Sequence, residues 1–304
     1  MSNFVLIIFC LLAGILGRRF GWVPKDGYKT LNAWVLYFGL PALSFRFLPY
    51  LKWDEQLLFT MVAPLLVLLG SVAFFYVIGR LFHLSKRTSH TLMLVAGLSN
   101  TSFVGFPLIQ AYYGADKLPI GIVSDQTTFF LLSTIGVIIA VKGSLNKNKQ
   151  VTAGYMLKRA LRFPPLVGCV LALTVPHLID IGFLDEFFVA LSSTISPIAL
   201  FSIGLQLSFG IVRAEMPHML YAALYKLVIG PALVTALALL FGQRGEIIQV
   251  SLFEMAMPSL VGTSIVLHEF KLNTKIGNSV IGLTIPLGLL TSYLWFVVFE
   301  TFFM

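Results

Sequence analysis

Charge is scarce in this chain, and the scarcity decides its solvent. Asp, Glu, Lys and Arg make up 11% of 304 residues, while hydrophobic residues make up 58%; soluble domains run near 25% charged. The mean hydropathy is +0.90. Cysteine is almost missing. Cys10 and Cys169 stand alone in apolar stretches, which leaves no disulfide framework, Cys-x-x-Cys redox pair or thiolate zinc site; they read as packing residues. There is no Walker phosphate loop, no His-Glu-x-x-His helix and no Gly-x-Ser-x-Gly elbow. The chain is therefore expected not to be an enzyme or a nucleotide-driven pump, and to carry no cofactor beyond a candidate sodium ion. His83, His90, His177, His218 and His268 are scattered, most of them near the ends of apolar runs, and read as interfacial residues.

What is present is a series of long apolar runs, such as 57–79, which carries no charge at all. About 20 apolar residues suffice to cross a bilayer as a helix. Within lipid the backbone must satisfy its own polar groups, so each run is expected to be helical; the non-alternating pattern excludes a β-barrel. The pattern predicts an all-α integral membrane protein with ten spans: 3–17, 29–48, 57–79, 90–113, 119–141, 164–180, 187–211, 216–241, 246–269 and 276–303. The first lacks a basic leader, and Arg18-Arg19 stands where a cleavage site would fall, so it is expected to remain as a span or a tilted interfacial helix.

Basic residues set the orientation. Sixteen of the 21 Lys and Arg follow odd-numbered spans, from Arg18, Arg19, Lys25 and Lys29 through Lys147, Lys149 and Arg213 to Lys271 and Lys275. Arg46, Lys52, Lys117 and Arg244 lie on the other side, and Lys226 lies inside a span, where snorkelling toward the cytoplasm is the plainest reading and attraction of an anionic substrate or balance of Glu254 are the alternatives. The expected location is the plasma membrane, multi-pass, with both termini outside. Cytoplasmic loops over an anionic leaflet account for the net charge of +8 without a nucleic-acid partner.

The chain also repeats itself. Pro41-Ala42-Leu43-Ser44-Phe45 is echoed by Pro197-Ile198-Ala199-Leu200-Phe201. Ser102-Phe103-Val104-Gly105 is echoed by Ser259-Leu260-Val261-Gly262, and Ile120-Gly121 by Ile276-Gly277. Three matches in one order, at offsets of 156 or 157 residues, predict two five-helix units, 1–141 and 164–304, joined by a basic cytoplasmic linker over 142–163. An odd number of spans per unit turns the second copy upside down, an arrangement associated with alternating-access transport.

Both copies are interrupted at the same place. Span 4 contains Ser99-Asn100-Thr101-Ser102-Phe103-Val104-Gly105-Phe106-Pro107, and span 9 contains Glu254-Met255-Ala256-Met257-Pro258-Ser259-Leu260-Val261-Gly262-Thr263-Ser264. Proline removes a donor and clashes with the preceding turn. The freed backbone and nearby hydroxyls can then receive a ligand, with half-helix N-termini for an anion and bare carbonyls for a cation. The competing reading is a plain proline kink satisfied by neighbouring helices. Only two acids lie well inside spans, Asp125 and Glu254. An acid at helix centre costs roughly 2.5–3.5 kcal/mol on insertion scales. Counted from the outer surface their depths differ by roughly 3 Å. They could line one pocket with Asn100, Thr127 and Thr128, a set of hard oxygen ligands suited to sodium or a proton; pairing with Lys226 is the alternative.

These motifs, with Leu40-Pro41, Ser202-Ile203-Gly204 and Met257-Pro258, resemble the auxin efflux carrier family along the whole chain. The resemblance implies inverted five-helix repeats with crossing helices 4 and 9. It also implies a scaffold of spans 1, 2, 6 and 7 and a moving group of spans 3–5 and 8–10. It implies organic-anion cargo: auxin in plants, small carboxylates such as malonate or malate in bacteria. The short central linker is similar to the bacterial branch. Glu254 with Ser99-Asn100 is also similar to the sodium site of the related bile acid–sodium symporters, where a crossing-helix glutamate and a Ser-Asn pair hold the ion.

The expected function is secondary active transport of a small mono- or dicarboxylate, with a passive anion channel or a membrane sensor as the competing classes. Expected anion contacts are Asn100, Thr101, Ser102, Gly105, Pro107, Pro258, Ser259 and Thr263. Expected coupling-ion contacts, for sodium or a proton, are Ser99, Asn100, Asp125, Thr128, Glu254 and Met257, with Glu254 and Asp125 as the carboxylate ligands. The lipid bilayer is the obligate environment, and a homodimer is a candidate assembly.

Overall fold

The computed structural model describes residues 2–24, 26–144, 152–207 and 215–303. Parts of the expected linker (145–151) and of the loop carrying Arg213 (208–214) lie outside the described residues, as does Lys25. Among the described residues the regular elements are helical, and the one strand-like pairing is a single antiparallel bridge between Ser99 and Ser259.

The chain runs through α1 (Ser2–Arg19), α2 (Gly27–Trp34), α3 (Leu40–Phe47), α4 (Gln56–Leu81), α5 (Lys86–Gly97), α6 (Phe106–Tyr112), α7 (Leu118–Leu131) and α8 (Val137–Gly143). It continues through α9 (Ala153–Leu161), α10 (Pro164–Thr174), α11 (Asp185–Ser193), α12 (Ile195–Gln206), α13 (Met216–Leu224), α14 (Gly230–Leu240), α15 (Glu246–Met255), α16 (Thr263–Glu269) and α17 (Thr274–Phe303). Six continuous helical stretches among the described residues are long and apolar enough to cross a membrane: Gly27–Tyr50, Gln56–Leu81, Ala115–Gly143, Gly182–Gln206, Met216–Leu240 and Thr274–Phe303. A seventh arises if Ala153–Leu161 and Pro164–His177, bent by 71°, act as one. The expected linker is thus partly helical, since α9 occupies its second half.

The expected spans 4 and 9 miss this length criterion because each is broken in its middle. Span 4 is α5 and α6, with residues 98–100 out of the helix; span 9 is α15 and α16, with 256–262 between them. Outward faces stay apolar: α4 buries Val67, Leu68 and Phe75 while exposing Leu58, Val62, Leu69 and Val77. A helix hydrophobic all round belongs in lipid.

Several joints follow one local rule. The π-helical turns Val35–Gly39, Thr101–Gly105 and Tyr225–Ile229 each end just before a helix whose second residue is proline: Pro41, Pro107 and Pro231. Proline cannot donate to the carbonyl four residues back and crowds it, so the ladder widens there. At Pro231 that carbonyl belongs to Leu227, and the Trp295 indole N–H donates to it instead at 2.8 Å.

Contacts divide the chain into two compact units. The first is Met1–Trp53, Ser102–Ile122 and Arg159–Ser208; the second is Asp54–Thr101, Val123–Lys158 and Phe209–Met304. Expected spans 1, 2, 6 and 7 fall in the first unit. Residues 102–122 join them there, although the sequence reading placed them with the other group. In the first unit α1 lies against α12 and α10 against α3. Glycine allows both approaches: a Cβ on Gly14 would stand 2.8 Å from the Gly204 Cα, and one on Gly168 would stand 2.7 Å from the Pro41 Cα. In the second unit α4 packs on α15 and α5 on α13, while α5 meets α17 and α16 meets α8.

Candidate functional site

The two interruptions meet inside the second unit. The Asn100 N–H donates to the Pro258 carbonyl at 2.8 Å, and the Leu260 N–H donates to the Leu98 carbonyl at 3.0 Å. Each break therefore supplies the backbone partners that the other lost. A neighbouring helix supplying those partners is also what the plain-kink reading expects, so the side chains and not the backbone separate that reading from a ligand site. Gly288 on α17 makes room for the turn, since a Cβ there would stand 2.9 Å from the Pro258 Cβ. The Ser259 N–H is taken by the Thr284 hydroxyl at 3.2 Å.

With the backbone satisfied, the side chains of the crossing are left with unspent capacity. Asn100 is fully buried, yet neither its amide nitrogen nor its oxygen has a hydrogen-bond partner among the described residues. The same holds for the Ser259 and Thr263 hydroxyls and for both carboxylate oxygens of Glu254. A buried polar group without a partner costs about 1–3 kcal/mol. Native folds rarely retain several unless something else uses them.

Asp125, on α7, accepts from the Thr101 hydroxyl at 2.6 Å. Glu254 is the next-to-last residue of α15 and lies within charge–charge range of both Asp125 and Lys226. Thr128 donates back to the Ser124 carbonyl at 2.9 Å, a bond within its own helix. Met257 is buried, and its N–H reaches the Glu254 carbonyl at 3.3 Å. Ser99, Asn100, Thr101, Asp125, Thr128, Glu254, Met257, Pro258, Ser259 and Thr263 thus all belong to the second unit. Ser102, Gly105 and Pro107 continue the same segment but group with the first, where Ser102 is buried with no partner for its hydroxyl among the described residues.

Lys226 corrects the sequence reading. It does not snorkel: it is completely buried, and its Nζ donates to Ser99 Oγ at 2.8 Å and to the Met255 carbonyl at 3.0 Å. The π-turn before Pro231 holds it there. The signal was its depth. Ten residues into its helix, it stands about 15 Å from the near end, further than a lysine stem reaches. Ser124 and Thr284, also fully buried near the crossing, were not singled out from sequence.

Sodium can be tested against this arrangement. The symporter resemblance places the ion among Ser99, Asn100 and Glu254. The place between the Ser99 hydroxyl and the Met255 carbonyl is taken by the lysine's own nitrogen, so these residues do not fit a sodium ion at that position. Among the described residues no three His, Cys, Asp or Glu side chains converge as a metal site.

Broken helices paired in mid-run, with buried unspent polar groups around them, are features of membrane transporters. The family model for membrane transport proteins matches residues 1–296. The chain belongs to that family, the auxin efflux carriers, and is a multi-pass membrane protein. It is similar over 97% of its length to an uncharacterized transporter of Methanocaldococcus jannaschii, at 25% identity and 97% coverage of that protein. An uncharacterized transporter of Methanothermobacter thermautotrophicus is 24% identical with 96% of each chain covered. The uncharacterized transporter YfdV of Escherichia coli K12 is 24% identical over 98% of this chain and 97% of its own.

Proposed function

We propose that this transporter is a secondary carrier for a small organic anion, a mono- or dicarboxylate, working by alternating access. The observation that carries the reading is the hydrogen-bonded meeting of the two breaks, with the Asn100 amide buried and unspent beside it. An amide N–H₂ and hydroxyl donors suit a carboxylate. Thr101, Ser259 and Thr263, all of the second unit, complete the anion contacts. The second unit, which holds the crossing, is the moving part, and the first is its support. Glu254 is the candidate proton carrier for any coupling; no step is routed through sodium.

The same reading takes the chain as ten crossings in two inverted repeats, 1–141 and 164–304, in the plasma membrane with both termini outside. Reciprocal packing supports it. Expected span 1 lies on span 7 while span 6 lies on span 2, and span 3 lies on span 9 while span 8 lies on span 4. Two copies related by a two-fold axis exchange partners in this way. The grouping of 102–122 with the first unit departs from the symmetry, because its counterpart α16 stays in the second.

Purified protein in liposomes tests the function. Saturable uptake of a labelled dicarboxylate, accelerated by the same acid on the far side, is the expected result. Currents far above carrier turnover with no such acceleration would make it a channel, and no flux of any organic acid would remove the proposal.

A further inference from the structure

We propose that the Lys226 ammonium is a built-in counter-cation, fixed in the place where a sodium ion would otherwise bind, so that this carrier runs without sodium. The niche is a cation site by construction. Met255 closes α15, and the last carbonyls of a helix lack their own donors and carry the negative end of its dipole. The Ala256 N–H turns back to the carbonyls of Leu252 and Phe253, and the Met257 N–H to that of Glu254. The Met255 carbonyl instead receives Lys226. Ser99 Oγ faces the same nitrogen from the other break. Next along is the Glu254 carboxylate, buried and without a hydrogen-bond partner among the described residues. A hydroxyl, a carbonyl and a carboxylate are hard oxygen donors of the kind that hold small cations.

An ammonium is a compact positive charge with three donors and no acceptor, so it can satisfy such oxygens as a bound ion does. It differs in one respect: it cannot leave. A tethered cation offsets the charge of one buried acid, Glu254 beside it, and ties the breaks of spans 4 and 9 together in every state of the cycle. It draws nothing from a sodium gradient. The inference builds on the reading of this crossing as the transport site, but its test measures sodium binding alone and needs no transported acid.

The test is the melting temperature of detergent-solubilised protein in sodium chloride against choline chloride at equal ionic strength. Wild-type protein is expected to melt at the same temperature in both. Lys226→Gln, which empties the niche, is expected to gain a saturable, sodium-specific rise of roughly 5 °C at sodium concentrations well above its dissociation constant. A sodium-specific rise in the wild type overturns the inference, and so does identical melting of Lys226→Gln in the two salts. Should Lys226→Gln be recoverable only from sodium-containing membranes, that supports it. Should it be recoverable in neither, equilibrium binding of radioactive sodium to the wild type decides: saturable binding overturns the inference and its absence upholds it. Failure to find a transported acid would count against the carrier reading and leave these outcomes as they are.

Discussion

The Asn100 N–H and the Pro258 carbonyl, 158 positions apart in the chain, are joined at 2.8 Å. That bond, with its neighbour between Leu260 and Leu98, turns two helix breaks into one joint. The Lys226 ammonium and the Thr284 hydroxyl add to these backbone pairs, and the Asn100 amide and the Ser259 hydroxyl are left for a ligand. A break repaired by its own side chains would have consumed Asn100 and Ser259 instead.

Asn100→Ala separates these roles. The amide has no partner to lose among the described residues, and removing a buried unsatisfied group relieves a cost of about 1–3 kcal/mol. The expected outcome is a melting temperature equal to or above that of the wild type. Dicarboxylate flux should nevertheless fall by about tenfold or more, as for a lost hydrogen bond to a charged ligand. A destabilised protein that still transports would place Asn100 in the structure and outside the site.

Gly288→Ala tests the fit of the joint. The added Cβ would press on the Pro258 ring at 2.9 to 3.1 Å, and α17 cannot easily retreat because α5 and α15 pack against it. Overpacking of this kind costs about 1–3 kcal/mol. Lower thermal stability together with reduced flux is expected; a neutral substitution would mean that the Pro258 turn is slack.

Much of this was legible from residues and some was not, and the division has a physical basis. Gly105, Pro107 and Pro258 announce breaks because their backbone chemistry is written in their side chains. The pairing of those breaks is made by N–H and C=O groups that every residue owns, so no letter marks it. Lys226 was visible as a mid-span charge, but a lysine stem swings through a wide cone, and only the π-turn fixed by Pro231 aims it at Ser99. The assignment of 102–122 to the first unit was hidden for a similar reason: Phe103, Val104, Phe106, Leu108 and Ile109 would be buried equally well in either group.

Trp295→Phe addresses that π-turn. The indole N–H satisfies the carbonyl that Pro231 leaves without a donor, and phenylalanine would keep the ring while orphaning Leu227. A buried carbonyl without a donor costs about 1–3 kcal/mol. The melting temperature should drop by a few degrees. Because the turn also carries Lys226, the loss of flux should exceed that of an equally destabilising substitution in the first unit, such as Gly168→Ala against Pro41. Equal losses at matched stability would detach the turn from function.

The fixed charges make a prediction about driving force. Lys226, Asp125 and Glu254 return to their starting places over a closed cycle, so they contribute nothing to the net charge moved. What crosses is the charge of the substrate, less that of any proton that accompanies it. One elementary charge across 100 mV is worth about 2.3 kcal/mol. For a monoanion carried alone, that is roughly a fiftyfold concentration ratio favouring the positive side at equilibrium. In cells with a negative interior the carrier would then run as an exporter. Potassium diffusion potentials imposed on sodium-free liposomes check this, because an equilibrium ratio does not depend on which way the protein was inserted. Accumulation on the positive side, scaling with the imposed voltage, is expected. A ratio of one at every voltage would mean that a proton travels with each monoanion. In that case Glu254→Gln should abolish the linked proton movement while leaving anion binding in place.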